Sequence, residues 1–255
     1  MILIYDGSYE GLLSCVFVIF RERLAPTAIH SDSHHQPTFF DASRIIPTNE
    51  DWAIRVIKGI DARTNNTACE LIYKIYLSEL PNSELLVYQV VRAIIQAGNG
   101  AVLENFANPA ILQASQIEKM MHREIHRMHA FVRFQKSKNG LFCAVIEPDF
   151  NVLPLIGDHF ERRYADQSWL IFDARRHYGI YYDQKEIQYV GSDHPVLEVN
   201  IDSPYSDAIQ DEKEKHYQSL WKNYFHAVNI RERNNEKLHL RHMPRRYWKY
   251  LTEKY

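Results

Sequence analysis

The pattern of apolar and polar positions predicts a strand, a turn and a helix at the start of the chain. Residues 1–5 are apolar or aromatic, residues 6–8 form the turn sequence Asp-Gly-Ser, and apolar positions then recur at helical spacing to residue 24. Ser8 stands where a helix N-cap is expected. Gly7 and Gly11 lack the additional glycines that a dinucleotide-binding or phosphate-binding loop requires.

Helical periodicity dominates the next part of the chain. Between residues 48 and 97 three amphipathic segments follow one another, each beginning at an Asn or Thr that can cap it, and the last ends at Gly98. A fourth helix is predicted from Pro109 to about Met128.

After Met128 the apolar period changes from that of a helix to that of a strand. An Asn139-Gly140 pair between two alternating runs predicts a β-hairpin. The elements predicted beyond the hairpin are a helix at 152–166, strands at 168–174, 178–183 and 186–191, and a long charged helix at 205–230.

These elements predict an α+β fold. We expect a helical N-terminal part, a central antiparallel sheet with an inserted helix, and a helical, basic C-terminal tail. We expect residues 1–255 to form a single compact domain; an alternative division separates a mainly helical part, 1–116, from a sheet-containing part with the tail, 117–255.

Composition indicates a globular protein that does not enter a membrane. The hydrophobic content of 45% suffices for a buried core, and no run of about 18 apolar residues could span a bilayer or serve as a signal peptide. The three cysteines are far apart and lie among apolar neighbours, which indicates free thiols rather than disulfides or a zinc site. We therefore expect a cytoplasmic location.

The net charge of −2 hides two basic segments. Residues 222–255 contain nine Lys or Arg and three Glu, and residues 117–138 contain six and two, for local charges of +6 and +4. Segregated positive charge favours an anionic partner such as nucleic acid. The alternative is that these cations lie on solvated faces and pair with acidic neighbours.

One basic segment carries a row of histidines at helical spacing, namely His122, His126 and His129. A zinc site is geometrically conceivable, but Glu124 does not have the spacing of the metalloprotease motif. The other two interpretations are hydrogen-bonded rings beside the core, and phosphate contact next to Arg123, Arg127 and Arg133. We expect no metal and no cofactor here, nor in the His- and Ser-rich loop at 26–37.

A second cluster combines His159 on the predicted helix with Asp173 at the end of a strand. Arg175, Arg176 and His177 follow Asp173 directly in a loop. His159 with an Asp partner could act as a general base, and the arginines could hold phosphates. The alternative is an ion pair of Asp173 with Arg162 or Arg175.

In the tail, aromatic and basic residues alternate. Tyr247 and Trp248 stand between Arg245, Arg246 and Lys249. Cations that contact phosphates and rings that stack on unpaired bases suit a nucleic-acid surface. Aromatic packing onto the domain with the charges outward is the alternative, and both can hold together.

Four separated segments carry a resemblance to a known family, namely residues 5–13, 126–134, 146–176 and 220–253. Over essentially its whole length the chain resembles a bacterial family of DNA-metabolism proteins of unknown function. Members of that family accompany a radical-SAM protein of DNA repair or modification, and the same domain occurs fused to uracil-DNA-glycosylase-like domains.

The resemblance implies a nucleic-acid-binding accessory protein that works in DNA repair or modification with a radical-SAM partner. Its DNA could be single-stranded or damaged. The alternatives are a nuclease or glycosylase-like enzyme using His159 and Asp173, and an adaptor that docks the radical-SAM partner. The residues expected to bind nucleic acid are His126, Arg127, Arg133, Arg162, Arg175, Arg176, Arg245, Arg246, Tyr247, Trp248 and Lys249.

Overall fold

The fold is taken from a computed structural model, which describes residues 1–34, 42–191, 211, 213–227 and 236–254. The chain divides into two compact units, unit 1 from Met1 to Met121 and unit 2 from His122 to Tyr255. In the described residues, no helix is both long and apolar enough to cross a membrane.

Unit 1 opens with the predicted strand, turn and helix. Ser8 caps the first helix, because its side chain accepts a hydrogen bond from the Gly11 N–H at 3.0 Å. The three predicted helices that follow are confirmed, and Gly98 ends the last of them with a φ of 74°. The elements are β1 (Ile2–Tyr5), α1 (Tyr9–Glu22), β2 (Ala28–Ser31), β3 (Ser43–Ile45), α2 (Glu50–Thr64), α3 (Thr67–Leu77), α4 (Ser83–Ala97) and the start of α5 (Pro109–Phe131).

Unit 1 also contains a small parallel sheet that the sequence did not predict. The strand order is β2-β1-β3, and β1 pairs in parallel with both neighbours. The central β1 is buried and continuously apolar, whereas all of β3 is exposed. Because the outer strands are short and partly solvated, their sequences carry no apolar signature of a sheet.

Unit 2 is built on a five-stranded sheet of order β4-β5-β6-β7-β8. Gly140, with a φ of 86°, provides the left-handed residue of the predicted turn between β4 and β5, which are antiparallel. The elements are β4 (Gln135–Lys136), β5 (Phe142–Ile146), α6 (Leu153–Arg163), β6 (Trp169–Asp173), β7 (Tyr178–Tyr182) and β8 (Ile187–Gly191).

The expectation of an antiparallel sheet is only partly correct. The pair β5 and β6 is parallel, with Val145 opposite Phe172, whereas the other pairs are antiparallel. The reason is α6, which lies between these strands in the chain and crosses over, so that β6 runs in the same direction as β5.

The change from helix to strand comes later than predicted. Helix α5 continues to Phe131, because Met128 is buried and its carbonyl still accepts a hydrogen bond from Val132 N at 3.2 Å. The strand β4 begins only at Gln135. His129 is therefore helical.

Where the structure describes it, the C-terminal part is helical, as expected. Helix α7 (Glu214–Ala227) and helix α8 (Glu236–His242) are followed by short 3₁₀ turns at Arg245–Tyr250 and Thr252–Lys254. Of the long helix predicted at 205–230, residues 205–210, 212 and 228–230 lie outside the described residues.

Candidate functional site

A cavity of about 890 Å³ lies within unit 2. The end of α5, helix α6, the sheet and helix α7 all contribute to its wall. Its lining is rich in aromatic side chains, namely Phe134, Phe142, Phe160, Tyr164, Trp169, Tyr217 and Trp221. This volume lies in the range of small-molecule and cofactor sites.

Phe134 is the centre of the aromatic wall. Its ring meets Phe160 edge-on at 5.7 Å between centroids and Tyr164 at 5.4 Å, and it lies 6.2 Å from Trp169. Trp169, which is 1% exposed, stacks on Tyr182 at 5.4 Å on its other side. Such edge-to-face and stacked contacts fix ring orientations. This wall of the cavity is therefore aromatic and closely packed.

Arg133 contributes to the cavity wall through an ion pair. Its guanidinium contacts Glu253 at 2.7 Å and lies 5.4 Å from the centre of the Trp221 ring. Trp221 Nε1 also donates to Glu253, at 2.9 Å. Burial acts to raise the pKa of Glu253, but the hydrogen bonds from Arg133 and Trp221 prevail and lower it. Arg133 is thus neutralised by the protein itself.

Two other cations line the cavity, Arg163 and Lys136. Arg163 on α6 is exposed, with its guanidinium 5.6 Å from the centre of the Tyr164 ring, and Lys136 lies on β4. Arg162, also exposed, precedes Arg163 on the same helix. These residues place positive charge near an aromatic cavity.

Two histidines stack face to face at the cavity wall. The rings of His129 and His159 are 3.9 Å apart between centroids and nearly parallel, at 14°. Burial lowers the pKa of His129 to about 4, with further lowering from His159 and His126. Burial also lowers the pKa of His159, together with Arg163 and Arg162. Both imidazoles are therefore neutral at neutral pH.

Two buried side-chain nitrogen atoms in the described residues have no hydrogen-bond partner, His129 Nε2 and Trp169 Nε1. Both residues line this same cavity. Buried polar groups in folded proteins are nearly always hydrogen-bonded, so these two nitrogens require partners that the described residues do not supply.

Glu124 is a second organising residue, and sequence reasoning gave it no role. It is 1% exposed and accepts hydrogen bonds from the Tyr247 hydroxyl at 2.5 Å and from the Asp149 N–H at 2.9 Å. Arg127 and Arg246 contact the same carboxylate at 3.3 and 3.5 Å. The sequence did contain a signal for its burial. Glu124 lies three residues after Met121 and four before Met128, on the same face of α5 as these apolar residues.

The structure joins four predicted phosphate-binding residues in a different place. Arg175, Arg245, Arg246 and Lys249 line a pocket of about 420 Å³ that also contains Glu147 and Asp149. Arg246 pairs with Asp149 at 2.5 Å, and Lys249 pairs with Glu147. This cluster is of mixed charge, with four cations and two carboxylates, rather than uniformly basic.

Asp173 does not face the stacked histidines. It is fully buried, and its carboxylate accepts from the Arg175 N–H at 2.9 Å, the Arg176 N–H at 3.2 Å and the Arg176 guanidinium at 2.8 Å. Burial raises the pKa of Asp173, although these hydrogen bonds oppose the shift. Asp173 thus holds the turn between β6 and β7, whereas His159 stacks on His129.

The remaining predicted residues take different positions. Tyr247 is 2% exposed and its ring lies 5.5 Å from Phe131, so it faces protein. Trp248 is half-buried and donates to the Met243 carbonyl at 3.0 Å. His126 is exposed on α5. Arg133 lines the aromatic cavity, whereas Arg175 lines the pocket of mixed charge.

Within the described ranges, no group of three or more His, Cys, Asp or Glu side chains is arranged to hold a metal ion. The histidines at 122, 126 and 129 belong to these ranges. In the His- and Ser-rich loop at 26–37, residues 35–37 lie outside the described residues.

A family model places the chain among known sequences. The model, described as a domain of unknown function, DUF4130, matches residues 81–253, which is more than half of the chain. The chain belongs to the DUF4130 family. The DUF4130 match includes α4, α5 and the whole lining of the aromatic cavity. No curated protein and no solved structure matches the chain. Membership of an uncharacterised family, which the resemblance implied, is thereby confirmed.

Proposed function

We propose that the chain binds single-stranded nucleic acid through the aromatic cavity of unit 2. The observation that carries this proposal is one cavity that combines seven aromatic side chains with the exposed cation of Arg163. Proteins that bind single strands pair a cationic path for the backbone with rings on which bases stack. The cavity has both parts.

The concave shape favours a single strand over a duplex. The faces of bases in a duplex are covered by their neighbours, so only an unstacked base can enter between side chains. On the α7 side, Tyr217 is 59% exposed and Trp221 is 39% exposed, so their rings are accessible to such a base.

The phosphate contacts of the proposal differ from those expected from the sequence. Several predicted cations are paired with carboxylates of the protein, and those whose carboxylate is buried are the least available to phosphate. These are Arg127, Arg133, Arg176, Arg246 and Lys249. We assign the backbone contacts to Arg162, Arg163 and Lys136 instead.

The cellular role in this proposal rests on the sequence resemblance. On that basis the chain acts as an accessory protein in DNA repair or modification beside a radical-SAM partner. Binding of a single strand in the aromatic cavity would supply the contact with DNA that such a role needs.

The test is fluorescence anisotropy with a labelled single strand of about 12 nucleotides at low salt. Tyr217→Ala should weaken binding by about 1–3 kcal/mol, the range for one base on an aromatic side chain. Tyr224→Ala is the matched control, because Tyr224 lies on the same helix and is 58% exposed but does not line the cavity. Absence of binding, or equal effects of the two variants, would contradict the proposal.

A further inference from the structure

The unpartnered nitrogen of Trp169 is a fixed hydrogen-bond donor at the cavity wall. An indole N–H can only donate, so it requires an acceptor. Tyr182 on one side, at 5.4 Å, and Phe134 and Phe160, both at 6.2 Å, hold the ring in place. Because the ring is held on several sides, the donor cannot turn freely toward a protein acceptor.

We propose that the cavity holds one unstacked nucleobase that carries a ring carbonyl, and that this carbonyl accepts a hydrogen bond from Trp169 Nε1. The inference rests on the proposed function and adds the class of base that the site selects. Since Nε1 is closed to solvent, the side chains that cover it must shift when the base enters.

The charges of the cavity determine which part of a nucleotide lies inside. His129 and His159, stacked on each other, are neutral at neutral pH, and Arg133 is neutralised by Glu253. His129, His159 and the Arg133–Glu253 pair thus add no net charge to the aromatic wall, and the cavity is also lined by a basic and an acidic side chain, Lys136 and Glu214. Such a wall suits a base, whereas a phosphate would lose its hydration there. The exposed guanidinium of Arg163 is a better partner for the phosphate than the interior of the cavity.

The proposed hydrogen bond predicts a preference among bases of equal size. Hypoxanthine carries a carbonyl where adenine carries an amino group, and its N1 carries a hydrogen where adenine N1 is an acceptor, but the two purine rings have the same size. An amino group cannot accept from an indole N–H and places a second donor against it. The site should therefore prefer hypoxanthine to adenine, whereas stacking on the rings should be similar for both.

The first experiment uses the unmodified protein and three strands of about 12 nucleotides. Each strand is abasic except at its centre, which carries hypoxanthine, adenine or no base. By competition anisotropy we expect hypoxanthine to bind about two- to tenfold more tightly than adenine, the range for one hydrogen bond. The strand without a base should bind at least about fivefold more weakly than adenine.

The outcomes separate this inference from the proposed function. Equal affinity for hypoxanthine and adenine, with both tighter than the abasic strand, would overturn the carbonyl contact and leave single-strand binding intact. Tighter binding of adenine would overturn it as well. Failure of every strand to bind would overturn the proposed function itself.

The second experiment removes the donor but keeps an aromatic ring. Trp169→Phe should abolish the preference, so that the hypoxanthine and adenine strands bind the variant with equal affinity. Trp52→Phe is the matched control, because Trp52 stacks on Phe17 in unit 1, at 5.3 Å, and does not line the cavity. A Trp169→Phe protein that folds, as judged by circular dichroism, and still prefers hypoxanthine would refute the inference. If the variant does not fold, the three-strand comparison decides.

Discussion

At the scale of single residues, Glu124 shows how a buried carboxylate organises a basic surface. It joins α5 to the 3₁₀ turn at Arg245–Tyr250 and to the backbone after β5 through one set of hydrogen bonds. A carboxylate that is 1% exposed is tolerated because donors surround it. The same contacts occupy Arg127 and Arg246, which the sequence had presented as available cations.

We expect Glu124→Ala to lower the free energy of unfolding by about 2 kcal/mol or more. The substitution leaves the buried Tyr247 hydroxyl and the Asp149 N–H without their acceptor. Urea denaturation measures the change. Glu118→Ala on the same helix is the control, since its partly exposed ion pair with Lys74 should contribute less than about 1 kcal/mol. Similar losses in the two variants would contradict the role of Glu124.

His129 predicts a pH dependence of stability. Its pKa is lowered from 6.5 to about 4, so the unfolded chain binds a proton at a higher pH than the folded chain. The contribution is therefore favourable at neutral pH and is lost as the pH falls from 6.5 toward 4. Denaturation across that window should show a smaller loss in His129→Phe than in the unmodified protein. His242→Gln, at an exposed position on α8, should leave the loss unchanged.

At the scale of elements, β7 packs closely against β6 because it contains a glycine. A Cβ on Gly179 would lie 2.8 Å from the Ile171 carbonyl oxygen and 3.3 Å from both Leu170 and Phe172. The backbone cannot move there without disturbing the hydrogen bonds between the two strands. The close pairing of β7 with β6, which carries Trp169, therefore requires that residue 179 has no side chain.

Gly179→Ala should destabilise the protein by about 1–3 kcal/mol, the usual range for overpacking. Gly59→Ala provides a comparison of opposite sign, because Gly59 is helical and the nearest atom to its added Cβ would be Arg63 Nη1, at 4.0 Å. Replacing a helical glycine by alanine stabilises by roughly 0.5–1 kcal/mol. Thermal unfolding of both variants gives the test, and a neutral Gly179→Ala would show that the strands separate easily.

At the scale of the whole molecule, the distribution of charge in the sequence overstates the cationic surface. The two basic segments carry ten net positive charges. In the folded chain, carboxylates outside these segments pair with two of their cations, Asp149 with Arg246 and Glu147 with Lys249. Such internal pairs reduce the number of counterions that a bound nucleic acid can displace.

The salt dependence of binding should therefore be shallow. Three cations near the cavity, Arg162, Arg163 and Lys136, predict a slope of about −2 for log affinity against log salt on a single strand. Ten phosphate contacts would give about −7. Anisotropy titrations over a range of salt concentrations distinguish these values. A slope near the larger value would show that the paired arginines release their carboxylates for phosphate.

The helices and turns of this protein are largely determined by short stretches of its sequence. The cap at Ser8, the stop at Gly98 and the turn at Gly140 each depend on a few neighbouring residues, and the structure confirms all three. Amphipathic periodicity likewise predicted the helices of unit 1, because burial of one helical face repeats every three or four residues. Local chemistry is sufficient for such features. The sequence also identified His159 and Arg133 as candidate site residues, although it did not show what surrounds them.

Only the tertiary structure decided how these elements combine into a site. The partners of Glu124 and Arg133 are separated from them by 123 and 120 residues, at Tyr247 and Glu253, so no local pattern identifies them. Nor does a local pattern identify the parallel pairing of β5 with β6, or the cavity that is lined by both Trp169 and α7. The sequence determined which residues could bind, stack or carry charge. Folding determined which of them already pair with other groups of the protein, because a buried polar group requires a hydrogen-bond partner.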